Sequence, residues 1–510
     1  MRYTAIGGEV LEAEPSSTFD AGAPFPDVNP VYVVVGSPRD MGFQYGRQGK
    51  DIIARNACAA RAGAMREFET WEGVLAALQP HTEAVAAMSP DSIEVWHGIA
   101  EGSGLLYDEI RLLNSLFKLA LCSTISCWGS ATEGGAVIAG ATGDSAWLTY
   151  AGCVLIAYPA DGNSFIVSVP AAGLWHGIRS MNAKGVVMML SGGQGEREVD
   201  RTPGYEPAGA YLETIQHSST AAEAKERFIG FRGLGPVNTH ILDAGGDAYV
   251  VESTAAVIAV RRPGDFGERD YLVATNGYLT DDLQPAMFAG EMNGGWIDWW
   301  YRYVTEEKLI NSSYGELTAG SLMRILGCHD YWDGKEWHCD VLSLEPALDP
   351  LGRWTPGVRD AHYSPAQREI FLPGELTAYI MTGNDDPLFS PAADTTGEYC
   401  RLVLADRPND VAAHAVEDAQ RQIWQAAVAL HKAAQPFETR VARLNAAKRA
   451  LAEGKNYQIQ AVLARDVDWN ALFLGRALTC FCKAQCYAQQ AQRLMSTPGV
   501  APPTAGSPEH

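Results

Sequence analysis

The sequence predicts an α+β fold in which two packed β-sheets lie beneath outer helices. Three observations favour this class. Residues 38–120 carry the apolar spacing of helices, the chain then breaks into strand-length apolar runs until about residue 370, and residues from 410 to about 493 become helical again. Strands with short turns, interrupted by a helical pair, are typical of two stacked sheets with helices outside.

The first predicted elements are a strand and a group of helices. Val31–Val35 is an unbroken run of β-branched and aromatic residues, which predicts a strand. Ser37 follows as a helix N-cap with Pro38 at the first helical position. We expect four helices before the next strand, with breaks near Ser89 and Asn114.

From Cys122 the apolar period is that of strands, and two helices, 208–216 and 221–228, interrupt them. Besides the strand that begins at Cys122, the predicted strands cover residues 136–139, 154–158, 165–169, 185–190, 239–242, 248–252, 257–260 and 271–275. The C-terminal helices are expected to serve as structural cover or as an oligomer contact. We therefore divide the chain into an N-terminal helical segment (1–121), a sheet core (122–405), a C-terminal helical extension (406–495) and a disordered tail (496–510).

Composition limits the kinds of partner and compartment. The formal net charge of -22 argues against nucleic acid as a partner, since like charges repel. The N-terminus has no apolar run of the signal-peptide kind, and no segment has the roughly 18 apolar residues of a membrane helix. We expect a cytoplasmic protein that binds no membrane, and its 10 cysteines should be thiols rather than disulfides.

Cys122 is the candidate nucleophile because it begins a strand directly after a helical region. A lone cysteine on a strand is most often a small buried apolar residue, and Cys127 fits that alternative. If the peptide bond between Leu121 and Cys122 is cut, however, an α-amine lies on the same residue as the thiol. Because an α-amine titrates at about pH 8, it can take the thiol proton without a separate histidine.

Five segments carry a resemblance to a known family. They are Cys122–Ile125 with Ala131-Thr132, Gly135 and Gly140; Gly36–Gly46; Gly173–Val186; Gly235–Asn238; and Val273–Tyr278. In this order they resemble the C45 peptidase family of acyl-coenzyme A:6-aminopenicillanic acid acyltransferase, within the N-terminal nucleophile (Ntn) hydrolases. The resemblance covers residues 31 to about 400.

The resemblance implies a four-layer αββα sandwich of two antiparallel sheets that is formed by self-cleavage before Cys122. It further implies that Cys122 attacks an amide carbonyl to give a thioester, with no cofactor. Asn276 matches the amide expected in the oxyanion hole, and Asp144 matches an acid that orients the new α-amine. Thr142 stands where the family usually has asparagine, so we expect it to contact substrate.

Aromatic and basic residues are candidates for the substrate pocket. Residues 296–303 hold four aromatic side chains at helical spacing, which indicates either a core-facing helix or a pocket wall. Arg302 on this helix could bind a substrate carboxylate. Trp147, Trp175 and His176 are the other predicted substrate contacts, and Arg179 is a second cation for an anionic substrate.

Other functions stay open on the sequence alone. Transfer of the acyl group to an amine would need a second binding site, which the sequence does not identify, so hydrolysis of a small non-peptide amide is the simpler hypothesis. A non-catalytic binding protein of the same fold is another, since Leu121 and Thr142 depart from the family pattern. The two fragments of the cut chain should stay together, and a homo-oligomer is an open possibility.

A zinc-dependent hydrolase is a further alternative. Cys328-His329 and His338-Cys339 place four potential ligands near one another. The pairs are adjacent, however, whereas zinc ligands on one turn are usually separated by two to four residues. We therefore expect no metal in this protein.

Overall fold

The computed structural model of the chain describes residues 2–4, 10–12, 28–115, 121–144, 151–193, 207–231, 234–285, 298–328, 331–338, 367–382, 398–432 and 438–493. Strands β1 (Arg2–Thr4) and β2 (Val10–Glu12) pair with each other. The predicted tail, residues 496–510, lies outside the described residues.

The larger of two main sheets has eight strands. In spatial order they are β12 (Ile258–Arg261), β11 (Ala248–Ser253), β10 (Val237–Leu242), β9 (Val187–Gly192), β8 (Arg179–Asn182), β7 (Phe165–Val169), β6 (Cys153–Pro159) and β3 (Val31–Gly36). Strand β3 runs parallel to β6, and the other neighbours in this sheet are antiparallel. Because β3 precedes Cys122 in the chain, the predicted N-terminal fragment contributes a strand to the sheet core.

The smaller sheet has six strands, all antiparallel to their neighbours. In spatial order they are β13 (Tyr271–Ala274), β4 (Leu121–Cys127), β5 (Ile138–Asp144), β16 (Gln367–Leu372), β17 (Thr377–Thr382) and β18 (Glu398–Val403). A short hairpin of β14 (Tyr331–Trp332) and β15 (Trp337–His338) stands apart from both sheets.

The side chains of the two sheets form one core between them and one core on each outer face. The inner core joins residues such as Val33 and Met189 of the larger sheet to Ala141 and Phe371 of the smaller sheet. Seven helices pack on the outer face of the larger sheet: α1 (Pro38–Gln48), α2 (Lys50–Glu67), α3 (Trp71–Met88), α4 (Pro90–Ser103), α5 (Tyr107–Ser115), α6 (Pro207–His217) and α7 (Ala221–Gly230). Two helices, α8 (Asp298–Ser312) and α9 (Ala319–Ile325), pack on the smaller sheet. The predicted four-layer αββα sandwich is confirmed, and its sheets are antiparallel as predicted except where β3 joins β6 in parallel.

The N-terminal helical region contains five helices within residues 38–115 rather than the four expected. Gly49 accounts for the additional break, because it ends α1 and begins α2. Ser37 caps α1 as predicted: its side chain accepts the Asp40 N–H, and the Asp40 carboxylate accepts the Ser37 N–H.

Three C-terminal helices close the side of the sandwich where both sheets end. They are α10 (Pro408–Lys432), α11 (Glu438–Leu463) and α12 (Val467–Arg493). On α12, Thr479 accepts the Val31 N–H of edge strand β3, at 2.9 Å. Gln489 bonds both backbone groups of Tyr399 on edge strand β18. The helix therefore satisfies backbone groups that two open sheet edges would otherwise expose.

A disulfide links Cys400 of β18 to Cys482 of α12. The expectation that all cysteines are thiols is wrong for this pair. The sequence separates the two residues by 82 positions, so their proximity depends on the packing of α12 along the sheet edge. None of the described helices has the length and apolar content needed to cross a membrane.

Candidate active site

Cys122 is the second residue of β4, and its side chain faces the core between the sheets. Strand alternation places Cys122 on the same face as Ser126, which bonds His240 of the larger sheet. Cys122 pairs with Gly143 of β5, and only 1% of its surface is exposed. Cys127 points to the opposite face, where it belongs to the core under α8 and α9 and burial raises the pKa of its thiol.

Asn276 binds the backbone nitrogen of Cys122. It lies on the segment that follows β13, and its Oδ1 accepts the Cys122 N–H at 3.1 Å. Its Nδ2 donates to the Gly192 carbonyl at the end of β9, at 2.6 Å. The oxyanion-hole role predicted for Asn276 would use an N–H of this Nδ2, which carries two, and it stays a prediction.

Arg302 is buried and bonds groups of the protein itself around Cys122. From α8, its Nη1 donates to the Cys122 carbonyl at 2.6 Å and to Ser123 Oγ at 3.2 Å. Its Nη2 donates to Asn276 Oδ1 at 2.6 Å. The guanidinium thus fixes both the start of β4 and the orientation of the Asn276 amide, which differs from the substrate-carboxylate role that we predicted.

Arg179 approaches the sulfur of Cys122 from the larger sheet. Its Nη2 lies 3.3 Å from Cys122 Sγ and 3.3 Å from the Thr142 carbonyl oxygen. A Cβ on Gly143 would lie 1.9 Å from this nitrogen, so the glycine leaves the space that the guanidinium occupies. A guanidinium beside sulfur favours the thiolate, which is the nucleophilic form of cysteine.

Two fully buried carboxyl groups lie next to these arginines. Glu369 of β16 lies 3.5 Å from Arg179 Nη1, and burial raises the pKa of its carboxyl despite that positive charge. Glu306 lies one turn after Arg302 on α8. Burial raises the pKa of Glu306 to about 8, while Ser123 and Arg302 act in the opposite direction. Glu306 is therefore largely protonated at neutral pH.

A serine and a histidine, Ser126 and His240, form a hydrogen-bonded pair in the core between the sheets, but the pair is unsuited to catalysis. Ser126 Oγ and His240 Nε2 are 2.7 Å apart, and Thr124 lies 3.3 Å from His240 Nδ1. All three residues are fully buried. Burial, together with the charge of Arg261, lowers the pKa of His240 to about 3. This pair therefore acts as an internal hydrogen bond between the two sheets.

The remaining residues of the predicted strand end are only partly described. Leu121 pairs with Asp144 in the β4–β5 register, so the predicted scission point lies beside the predicted acid. The side chains of both residues, and all of Trp147, lie outside the described residues. Thr142 contributes its carbonyl oxygen to Arg179, while its buried Oγ1 has no hydrogen-bond partner among the described residues.

Trp175 and His176 are both buried, and their predicted contact with substrate stays a prediction. The Trp175 ring packs edge-on against Phe165 in the core beneath the N-terminal helices. His176 is buried close to Arg179, and its Nδ1 accepts the Ile178 N–H. Burial and the positive charge of Arg179 lower the pKa of His176 to about 3, so its ring is neutral at physiological pH.

The aromatic helix contributes to the site through one tryptophan. Trp299 of α8 packs directly on Gly277, beside Asn276, and its carbonyl accepts the Thr275 hydroxyl. Trp300 is exposed and stacks on Tyr303, which lies in the core of the smaller sheet. Trp296, the first residue of this aromatic stripe, lies outside the described residues.

The described residues contain no cluster of three or more potential metal ligands. In the zinc hypothesis, Cys328 and the backbone of His338 are described, whereas His329 and Cys339 lie outside the described part of the chain. The proposed zinc set therefore stays an untested alternative.

Sequence reasoning missed the contact between Arg179 and sulfur, and it missed the two buried glutamates. The available signals were weak. Glu369 stands next to Arg368 just before three apolar residues of the same strand, a pattern that places two charges on opposite buried faces. Gly143 was the other weak signal, because a glycine inside a strand often marks a place where another group approaches closely, here the Arg179 guanidinium.

No known protein family and no curated protein sequence matches this chain. Solved structures that resemble it include a mutant of conjugated bile acid hydrolase from Clostridium perfringens, at 12% identity and a TM-score of 0.33, covering 52% of this chain and 90% of that one. Penicillin V acylase from Agrobacterium tumefaciens also resembles it, at 12% identity and a TM-score of 0.28. The match covers 57% of this chain and 86% of the acylase. Likeness at this level carries no argument about activity, and membership of the C45 family stays a prediction.

Proposed function

We propose that this protein is an amidohydrolase that activates itself by cleaving the bond between Leu121 and Cys122, with Cys122 as the nucleophile. One observation supports this proposal most strongly. Three side chains from separate elements converge on Cys122: Asn276 on its N–H, Arg302 on its carbonyl and Arg179 on its sulfur. A structural cysteine in a strand requires no such arrangement.

The proposed self-cleavage uses the Cys122 sulfur on the carbonyl carbon of Leu121. A carbon–sulfur bond forms, the bond from that carbon to the Cys122 nitrogen breaks, and the thiol proton passes to the nitrogen. Water then hydrolyses the thioester, which leaves a carboxylate on Leu121 and an α-amine on Cys122. Arg179 favours the thiolate, and Asn276 Oδ1, which accepts the Cys122 N–H in the uncut chain, is expected to bind the new α-amine after the cut.

Turnover of an external amide repeats the same chemistry. The α-amine of Cys122 accepts the thiol proton, and the sulfur attacks the substrate carbonyl. The α-amine then passes that proton to the nitrogen of the substrate, which leaves as a free amine. Water resolves the thioester to a free acid. Because Cys122 is only 1% exposed in the uncut chain, we expect the substrate carbonyl to take the place of the Leu121 carbonyl. This requirement favours a small, non-peptide amide.

The two proposed fragments are expected to stay associated. The N-terminal fragment supplies β3, whose full length pairs with β6, and Asn56 on α2 donates to the carbonyls of Ala151 and Ala172. Each of these contacts joins a residue before the proposed cut to a residue after it. Scission therefore frees the new amine without dissociating the protein.

The experiment is the capture of the acyl group on Cys122. Purified protein is mixed with a panel of N-acyl p-nitroanilides, release of p-nitroaniline is recorded, and the protein is quenched in acid for peptide mass spectrometry. We expect an acyl adduct on Cys122 and no turnover by Cys122→Ala. Cys127→Ala is the matched control, since Cys127 lies on the same strand but faces another core.

Two outcomes would replace the proposal by one of its alternatives. Formation of an N-acyl product when a competing amine is present would identify an acyltransferase. Absence of any adduct and any turnover across the panel, with Cys122 intact, would favour a non-catalytic binding protein of the same fold.

A further inference from the structure

The segment Thr275–Thr280, which follows β13, carries Asn276 from the smaller sheet across to the larger sheet. All six of its residues bond strands or helices outside β13. Since Asn276 approaches Cys122 only if this segment keeps its path, the groups that hold the segment control the site. Two of them, Asn238 and Glu252, are buried side chains of the larger sheet.

We propose that Asn238 is a positioning residue for the reaction at Cys122, because it holds the backbone on both sides of Asn276. Its Nδ2 donates to the Thr275 carbonyl at 2.7 Å and to the Gly277 carbonyl at 2.9 Å. One amide group therefore bridges the carbonyls immediately before and after the residue that binds the Cys122 nitrogen. This inference rests on the proposed function.

Glu252 anchors the far end of the same segment. Its carboxylate accepts the N–H groups of Leu279 and Thr280 at 3.0–3.2 Å, and the Thr280 hydroxyl at 2.7 Å. Arg261 pairs with Glu252 at 3.1 Å and donates to the Val273 carbonyl. The segment is thus held at both ends, and Asn238 acts at its centre.

The strand register explains why these two residues act together. Asn238 on β10 lies directly opposite Glu252 on β11, so both side chains leave the sheet on the face toward the smaller sheet. On the other side of Asn238, β9 ends at Gly192, whose carbonyl accepts the Asn276 Nδ2. Three adjacent strands, β9, β10 and β11, therefore each supply a group that bonds the segment Thr275–Thr280.

Loss of Asn238 should misplace Asn276 without changing the substrate pocket. Displacement of a reacting group by about 1 Å can cost roughly 100-fold in rate. We therefore expect Asn238→Ala to lower kcat on an N-acyl p-nitroanilide by roughly 100-fold with KM unchanged. Asn238→Asp should be at least as slow, because its carboxylate repels the two carbonyls that the amide bridges.

Asn182 supplies the matched control. It is also a buried asparagine of the larger sheet, and its Nδ2 donates to two carbonyls, those of Ile215 and Ser218, at 2.7 and 2.8 Å. It lies on β8, two strands from β10, and faces the outer helices. Asn182→Ala should lose comparable stability while kcat stays at the wild-type value.

A double-mutant cycle separates positioning from a general structural effect. If Asn238 acts through Asn276, the Asn238→Ala/Asn276→Ala variant should be no slower than Asn276→Ala alone. The proposal is overturned if Asn238→Ala keeps the wild-type kcat, if Asn182→Ala loses as much kcat, or if the two losses multiply in the double variant.

Crystal structures of inactive variants test the positioning role of Asn238 independently of whether the protein is an enzyme. Cys122→Ala and Cys122→Ala/Asn238→Ala are compared as uncut chains, so no turnover is needed. We expect Asn276 Oδ1 to leave the residue 122 N–H in the second structure. If wild type turns over no anilide, the proposed function fails while these structures still decide the positioning role, and an unmoved Asn276 would overturn it.

Discussion

Asn276 Oδ1 accepts the Cys122 N–H at 3.1 Å, and the other bonds of this amide fix its orientation. Arg302 donates to the same oxygen at 2.6 Å, while Nδ2 donates to the Gly192 carbonyl. Two donors on one atom and an acceptor on the other allow only one assignment of oxygen and nitrogen. The nitrogen of Cys122 therefore already has its acceptor in the uncut chain, before an α-amine exists.

Gly143→Ala should inactivate the protein by displacing Arg179. The new Cβ would lie 1.9 Å from Arg179 Nη2, so the guanidinium must leave Cys122 Sγ. We expect a loss of roughly 100-fold in anilide hydrolysis, measured as kcat/KM. Gly140→Ala on the same strand is the control, because its Cβ would meet the methyl ends of Ile370 and Leu326 and the Glu369 carbonyl rather than Arg179. Full activity of Gly143→Ala would show that Arg179 is not needed.

Arg179→Met should lower both activity and stability, for different reasons. The thiolate loses its cation, and Glu369 loses the nearest positive charge in a fully buried site. Leaving one partner of a buried pair costs about 3–5 kcal/mol. Adding Glu369→Gln should restore much of the stability, measured by urea unfolding, without restoring turnover. Recovery of both properties together would assign Arg179 a purely structural role.

Glu306→Gln should change how stability depends on pH. The native carboxyl has a pKa of about 8, above its usual 4.5, so its contribution is fully present below pH 4.5 and is lost as the pH rises toward 8. The glutamine variant lacks this loss and should exceed wild type by a few kcal/mol above pH 8, while matching it below pH 4.5. Urea unfolding across this range measures the difference.

Glu375→Gln serves as the control for that series, since Glu375 is exposed on the turn between β16 and β17. Its pH dependence should follow wild type. Parallel curves for Glu306→Gln and wild type would contradict the burial of an uncharged glutamate under β4.

Replacing Cys400 and Cys482 by alanine should destabilise the protein by about 2–4 kcal/mol, the usual contribution of a disulfide. The bond joins α12 to the edge of the smaller sheet and does not touch Cys122, so kcat per folded molecule should be unchanged. Urea unfolding with and without a reductant makes the measurement. Equal stability in both conditions would indicate that the two thiols are not joined.

The layered fold could be predicted because its signals are local. Strand-length runs, turn residues and the Ser37 cap each depend on a few neighbouring residues, and the two apolar faces of each sheet then require covering layers. The disulfide between Cys400 and Cys482 could not be predicted in this way, because it depends on α12 lying along β18.

Within the candidate site, the sequence analysis named Cys122 and Asn276, which lie at a strand start and just after a strand end; their catalytic roles stay predictions. Arg302 was identified with a different role, because a helical pattern indicates which residues share a face but not what they bond. Arg179, Glu306 and Asn238 act across sheets or layers, and no local spacing connects them to Cys122. Such contacts depend on the register of the assembled strands.

Intact mass of the purified, full-length product tests the central claim most directly. Cleavage before Cys122 separates 121 of the 510 residues of a 55.0 kDa chain, which predicts fragments of about 13 and 42 kDa that copurify. The larger fragment should begin with an unblocked Cys122, and Cys122→Ala should remain one chain. A wild-type protein that stays at 55.0 kDa after prolonged incubation would contradict the account.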